Sequence, residues 1–318
     1  MLALATGLLS AIWIILSPET ALPVGLVLGS ASVPAAVLFA VAGRLDAPIS
    51  LRALIGGGTI GVGIALLSHA VVFAFAYSFF LGFAEAGTSA LEALRIDPKF
   101  TSVLRSPWTI LILLELTLVA PITEEAGKAL GGFVARPTTR RDAFLAGVAA
   151  GIGFAIVENI AYGVGGLFGF DTWEPIVLGR MLGAAVHPLA SGLVVLGWWE
   201  RRNGVDAGAG IGRLIAGVAV HAAWNGALVI TSIAGIAYDY GGASGNFAAA
   251  SLAYTGLIGV LAAGALWVTA SSVSGEIAAA DLAPTNGHAL AGWTVLASSF
   301  LVPVALLVLA FPELSDAG

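Results

Sequence analysis

The chain contains no cysteine and unusually few charged residues. The absence of cysteine excludes disulfide bonds, thiolate nucleophiles and cysteine-ligated metals. Only 10% of the 318 residues are charged, against roughly a quarter in ordinary soluble domains, and no basic cluster indicates a nucleic-acid partner. With 58% hydrophobic residues and a mean hydropathy of +0.98, the composition indicates an integral membrane protein.

The hydrophobic residues come in blocks of about 18 to 28, long enough to cross a hydrocarbon core of roughly 30 Å as helices. An all-α, polytopic bundle of nine transmembrane helices is predicted, at about 1–17, 23–43, 54–82, 107–134, 143–168, 176–199, 212–236, 247–272 and 290–311. The first block lacks a basic region and a cleavage site, so it is interpreted as a retained span and not as a signal peptide. No linker or repeat divides the chain, so residues 1–318 are predicted to form one domain, with a core at about 107–236 between flanking spans in 1–82 and 247–311.

The basic residues predict the orientation of these spans. With the amino terminus in the cytoplasm, eight of the 13 basic residues fall in cytoplasmic loops, and the outside loops contain Arg95, Lys99, Arg105 and Arg180. This excess agrees with the positive-inside rule. An odd number of spans then places the carboxyl terminus outside. The chain is therefore predicted to be a multi-pass protein of a prokaryotic cell membrane, surrounded by the lipid bilayer.

Seven carboxylates and imidazoles lie within the predicted spans, where each ionisable group costs several kcal/mol. They are Glu115, Glu124, Glu125, Glu158, His69, His187 and His221. A rise of about 1.5 Å per residue brings the key groups of four separate helices to depths of roughly 14 to 22 Å from their cytoplasmic ends. We interpret this common depth as one site. His69 and Glu115 have no partner nearby in the sequence, so both are interpreted as structural.

Two short stretches place the carboxylates beside potential partners. In "TEEAGK", Lys128 follows Glu124 by four residues and Glu125 by three, so either carboxylate can pair with it on one helix face. In "GFAIVENIAYG", Phe154 and Glu158 share a face. The structural alternatives are a self-neutralised ion pair in the first stretch and a protonated Glu158 that donates a packing hydrogen bond in the second.

Two histidines follow on later spans. His187 lies in "AAVHPLASG", where Pro188 weakens the local helix, and a solitary histidine of this kind is as often a packing residue as a ligand. In "VAVHAAWNGAL", His221 and Asn225 are four residues apart and share a face, with Trp224 beside them. An imidazole and a carboxamide on one face offer a base or ligand together with a hydrogen-bond donor.

Two histidines and two or three carboxylates are the ingredients of a hydrolytic centre. Neutral imidazoles and a carboxylate can bind Zn²⁺ and leave a position open for water, and His187, His221 and Glu158 are the predicted ligands. A metal-free alternative remains open, in which Glu and His activate water directly while His221 and Asn225 donate to the oxyanion. The soluble H-E-x-x-H signature is missing from the sequence, so the evidence for a metal is weaker than that for a site.

Taken in order, "EEAGK", "FAIVEN" and "HAAWN" match the motifs E-E-x-x-K, F-x-x-x-E-N and H-x-x-W-N, with His187 on a separate span between the last two. Over about residues 120 to 230, this set resembles the PrsW family of intramembrane proteases, which is similar to the CAAX prenyl protease and bacteriocin-processing superfamily. The resemblance implies an endopeptidase core of the fourth to seventh spans that cleaves a membrane-anchored protein or peptide. It implies the catalytic residues Glu124, Glu125, Glu158, His187, His221 and Asn225, with Glu124 as general base, and the supporting residues Lys128, Asn159, Phe154 and Trp224.

Three other functions are considered. A secondary transporter also keeps acidic residues and histidines at mid-membrane, but no inverted repeat is visible here. A non-catalytic partner derived from a protease fold would be expected to have lost a motif, and none is lost. A CAAX-type prenyl-protein endoprotease is less favoured, because that branch has arginine one residue beyond the position of Lys128.

Overall fold

The computed structural model describes residues 18–81, 111, 113–169, 179–205, 207–239 and 245–274. Every regular element in these ranges is helical, which confirms the predicted all-α class for the described part of the chain. The helices are α1 (Pro18–Leu45), α2 (Leu51–Gly56), α3 (Val62–Leu81), α4 (Ala120–Phe133), α5 (Arg140–Gly169), α6 (Val186–Asn203), α7 (Ala207–Asp239) and α8 (Gly245–Ser274). A π-helical turn, Gly57–Gly61, joins α2 to α3, and a second one, Glu115–Val119, leads into α4.

Among the residues that the structure describes, four helical segments are long and apolar enough to cross a membrane, namely Leu51–Ala74, Arg140–Gly163, Ala207–Ser232 and Ala249–Ser274. They correspond to the predicted third, fifth, seventh and eighth spans, and the chain is a membrane protein. Gly29–Leu45, within the predicted second span, is a shorter apolar helix. The predicted fourth and sixth spans contain the shorter helices α4 and α6, and the first and ninth lie outside the described residues. The number nine therefore stays a prediction.

Helix α5 lies at the centre of the bundle. In an apolar 18-residue stretch of its segment, 78% of the residues are buried, against 17 to 28% in the corresponding stretches of the other three. It packs against α1, α2, α4 and α6, and the alanines and glycines of its buried faces let these helices approach closely. The central position of α5 brings the Glu158 region within reach of several neighbours at once.

Glycines bring the α2–α3 segment into backbone contact with α4 and α5. A Cβ atom on Gly57 would lie 1.9 Å from the carbonyl oxygen of Ala150, and one on Gly153 would lie 1.9 Å from that of Leu54. On α4, a Cβ on Gly131 would meet the backbone of Gly56 at 2.5 Å. Only glycine fits at these crossings, so the high glycine content of the sequence has a packing role here.

We expect Gly57→Ala to destabilise the bundle by about 1–3 kcal/mol or more, because the added methyl group forces the π-helical turn after α2 away from α5. Gly63→Ala is the matched control, since a Cβ there has no atom within 4 Å. That control should lie within about 1 kcal/mol of the wild type, on the stabilising side, because alanine favours a helix over glycine. Unfolding of both variants in detergent measures the difference, and equal stabilities would contradict the close packing of these helices.

The predicted sixth span, 176–199, is not one continuous helix. A turn at residues 183–185 interrupts it, and α6 begins at Val186 with Pro188 in its first turn, where proline costs no hydrogen bond. The interruption therefore lies before Pro188. A Cβ on Gly183 would lie 2.3 Å from the indole of Trp224, so the turn packs closely on α7. Beyond α6, Gly204 adopts φ 66° and ends the helix in the left-handed conformation that favours glycine.

Candidate active site

Lys128 is the centre of the polar cluster on α4. Its ammonium group is fully buried and donates to Glu124 Oε2 at 3.2 Å, to Glu125 Oε1 at 2.9 Å and to His187 Nδ1 at 3.0 Å. An ammonium has three protons, so each contact can take one. The nitrogen also lies 3.9 Å from the centre of the Phe154 ring, which adds a cation–π contact. The supporting residues Lys128 and Phe154 thus contact the predicted site directly.

Glu125 orients the histidine of α7. Its carboxylate is fully buried, and Oε2 accepts from Ser191 Oγ at 2.7 Å. Oε1 lies 2.9 Å from His221 Nδ1, so an ionised Glu125 assigns the imidazole proton to Nδ1. The other ring nitrogen, Nε2, lies 3.6 Å from Glu124 Oε2. The lone pair of His221 is therefore directed toward Glu124.

Glu158 of α5 meets the segment that precedes α6. Its Oε2 forms an ion pair with Arg180 and lies 3.1 Å from His187 Nε2. Arg180 also donates through Nε to Asn159 Oδ1 at 2.8 Å, and Asn159 donates to the carbonyl of Ser30 on α1 at 2.7 Å. The structure corrects the assignment of Arg180 to an outside loop: the residue is only 9% exposed and lies beside the site. The turn at residues 183–185 is what lets it reach α5.

Two histidines and one carboxylate come together at the middle of this cluster. The rings of His187 and His221 lie edge to face, with centroids 4.7 Å apart. Ligand atoms of Glu124, His187 and His221 all lie within 4.8 Å of one another, and all three side chains are buried. The predicted metal set had Glu158 in place of Glu124. In the described structure Glu158 is engaged by Arg180 and Glu124 lies with the two imidazoles.

The family model of PrsW family intramembrane metalloproteases matches residues 47–255, roughly two-thirds of the chain. The chain belongs to the PrsW family. It is therefore a membrane-embedded peptidase, and the residues quoted from its three motifs all lie inside the matched range. The match also includes α2, α3 and the first part of α8, beyond the motif-bearing region at about 120 to 230. No curated protein and no solved structure matches the chain.

The side chains of this PrsW protein fit the metal that the family description implies. Two imidazoles and a carboxylate are the donors that zinc takes in hydrolytic sites.

Two further residues of the H-x-x-W-N motif, Asn225 and Trp224, have different roles in this PrsW protein. Asn225 donates through Nδ2 to the carbonyl of Leu116 at 2.8 Å, in the π-helical turn before α4. An amide nitrogen has two protons, so one remains for another acceptor. Trp224 is buried against the turn before α6 and against α8, next to Gly183 and Gly259, so its contacts are those of packing.

His69 and Glu115 form a pair that the sequence analysis missed. His69 Nδ1 lies 2.5 Å from Glu115 Oε1, and His69 Nε2 lies 3.8 Å from Glu124 Oε1. Both were interpreted as structural because 46 positions separate them along the chain. One signal in the sequence could have indicated the pair. Each residue is an ionisable group within a predicted span, and pairing lowers the free-energy cost of placing both in the membrane. In this PrsW protein they extend the cluster to α3.

Proposed function

We propose that this PrsW protein hydrolyses peptide bonds of another membrane-anchored protein, within or beside the bilayer. The observation that carries the proposal is the buried convergence of Glu124, His187 and His221 within 4.8 Å. Polar groups of this kind are costly in a membrane unless they serve a site. Membership of the PrsW family supports the same reaction, since its members are described as intramembrane metalloproteases.

The contacts support distinct roles for the side chains of the site. Glu124 acts as the general base that takes the proton of the attacking water, because it is the carboxylate that lies with both imidazoles, within 4.8 Å of each. Glu125 positions His221, whose Nε2 is thereby free to accept a proton or to bind a metal. Glu158 fixes His187 from the opposite side, where its Oε2 lies 3.1 Å from Nε2, and Arg180 holds that carboxylate in an ion pair. Asn225 has one amide proton available for the developing oxyanion.

We propose Zn²⁺ as the metal, bound by His187, His221 and Glu124. A bound zinc ion would lower the pKa of a water molecule and polarise the scissile carbonyl. If Glu124 serves as a ligand, Glu158, which lies 3.1 Å from His187, is the next carboxylate for the proton. A metal-free reaction remains the alternative, with Glu124 and His221 activating water directly.

We propose the cell membrane of a prokaryote as the location, with the amino terminus in the cytoplasm. The basic residues at the ends of the described helices support this orientation, since Arg201 and Arg202 lie in the last turn of α6. Arg136 and Arg141 lie between α4 and the first turn of α5, at the end that contacts α6 through Phe133 and Trp198. The bilayer and a membrane-anchored substrate are the partners.

The proposed function is tested by replacing the chromosomal gene with one that encodes the Glu124→Gln variant. We expect a membrane-anchored protein to accumulate uncut and its fragments to disappear, because the glutamine keeps the volume but cannot accept the proton. Quantitative proteomics of the membrane fraction measures both changes, with Arg141→Gln as the control substitution. An unchanged membrane proteome, together with a loss of solute flux in proteoliposomes of the variant, would contradict the peptidase and favour a transporter.

A further inference from the structure

A cavity of about 600 Å³ opens between α4, α6 and α7, beside the site. Its walls are largely apolar, with Ile122, Val194 and Val218 from the three helices. Glu125 lines it among these apolar groups, and Arg201 and Arg202 line it at the carboxyl end of α6. The volume falls within the range of roughly 300–1,000 Å³ for pockets that bind small ligands or short segments.

The residues that line the cavity on α6 and α7 lie on the same helix faces as His187 and His221. On α6, residues 187, 191, 194, 198 and 201 recur at spacings of three and four, so His187 and Arg201 lie at two ends of one face. On α7, residues 214, 218 and 221 follow the same rule and end on His221. A segment that lies in the cavity therefore runs directly into the site.

The two arginines of the cavity differ from their neighbours. Arg140 and Arg213 both pair with the buried carboxylate of Glu200. Arg201 and Arg202 are exposed, and neither guanidinium has an ion pair or hydrogen bond with any residue in the described ranges. Two cations without such partners at the rim of an apolar cleft are complementary to an anionic group on whatever enters it.

We propose that this cleft binds the substrate in extended form and that Arg201 and Arg202 select an acidic residue near the cleaved bond. The inference rests on the proposed function. Ser191, which donates to Glu125, marks the level of the site, and ten residues of helix separate it from Arg201, about 15 Å. An extended strand covers about 3.3 Å per residue, so the acidic residue lies about four or five positions from the cleaved bond.

A peptide fits this cleft better than a lipid. The helix faces that line the cavity lead to the side chains proposed to cleave a peptide bond, and an acyl chain has no such bond to place there. A peptide also has side-chain carboxylates, which an arginine binds in bidentate geometry. The chemistry at both ends of the cavity therefore favours an apolar segment flanked by Asp or Glu.

The test uses the purified full chain in detergent with synthetic ten-residue peptides that have an apolar centre. In separate peptides, each position that flanks the apolar centre carries Glu, Gln or Lys. Mass spectrometry identifies the cleaved bond, and the rate of product formation gives kcat/KM. For the wild type we expect Glu at the fourth or fifth position to raise kcat/KM over Gln by about 10- to 100-fold, the effect of one or two charged hydrogen bonds. Arg201→Gln/Arg202→Gln should bring this ratio close to one, and Arg201→Glu/Arg202→Glu should shift the preference to Lys. Arg136→Gln/Arg141→Gln removes the same charge elsewhere and should keep the ratio.

The outcomes separate this inference from the proposed function. Equal cleavage of all peptides by the wild type, or an acidic preference that survives in Arg201→Gln/Arg202→Gln, would overturn the role of the arginines and leave the peptidase intact. Loss of bound phosphatidylglycerol in that variant with an unchanged ratio would assign the arginines to a lipid headgroup and also overturn it. No cleavage above Glu124→Gln for any peptide would count against the proposed function itself.

Discussion

A variant with both His187→Ala and His221→Ala is expected not to bind the proposed zinc ion and to lose nearly all of its peptidase activity. The two imidazoles supply two of the three ligand groups that lie within 4.8 Å, and a single carboxylate does not hold zinc tightly. A metal in such a site contributes several kcal/mol to the transition state, so activity should fall by roughly 10³-fold or more. Zinc content of the purified chain is the primary measurement, with about one ion expected in the wild type and almost none in the variant.

The fourth histidine of the sequence offers a matched control for this experiment. His288 belongs to none of the three motifs and lies outside the described residues. We expect His288→Ala to keep both zinc and activity. Equal, near-zero zinc in the wild type and the double variant would exclude the metal and leave the metal-free reaction, in which the activity loss comes from the imidazoles alone.

Lys128→Met is expected to destabilise the protein by roughly 3–5 kcal/mol, the cost of breaking a buried ion pair by removing one partner. The ammonium is fully buried and contacts Glu124, Glu125 and His187 at 2.9–3.2 Å. Methionine keeps the volume of the side chain but leaves the two carboxylates without their nearest cation. The free energy of unfolding in detergent measures this effect.

An exposed ion pair of the same chain provides the comparison. Arg141 lies 3.9 Å from Asp142, with both side chains about one-third exposed, so Arg141→Met should cost only about 0–1 kcal/mol. Adding Glu125→Gln to Lys128→Met should recover part of the loss, because it removes one of the uncompensated charges. A Lys128→Met variant as stable as Arg141→Met would contradict the role of Lys128 as the central counterion.

The parts of the site that follow from local helix geometry could be predicted from the sequence. The contacts of Lys128 with Glu124 and Glu125 follow from spacings of four and three residues on one helix. The convergence of His187 and His221 with the carboxylates could be expected from their common depth in separate spans. The PrsW motifs indicated which residues of these separate helices belong to one site, and spacing within a single helix cannot indicate this.

The contacts that depend on an irregular backbone could not be predicted. Arg180 reaches Glu158 because the chain turns at residues 183–185, and hydropathy cannot distinguish a broken span from a continuous one. The ion pair of Glu158 with Arg180 could not be predicted for the same reason, since an arginine assigned to a loop was not available as a partner. The pair of His69 and Glu115 depends on which faces of α3 and the turn before α4 meet, a matter of tertiary packing.

The arrangement of counterions has a consequence for biogenesis. Helix α4 carries two carboxylates and one lysine within about one turn, so Lys128 can balance one of the two negative charges as the helix leaves the translocon. Helix α5 emerges with Glu158 unbalanced, and Arg180 follows 22 residues later in the nascent chain. We therefore expect α5 to remain shielded from lipid until Arg180 has been synthesised, so that the two segments enter the bilayer together.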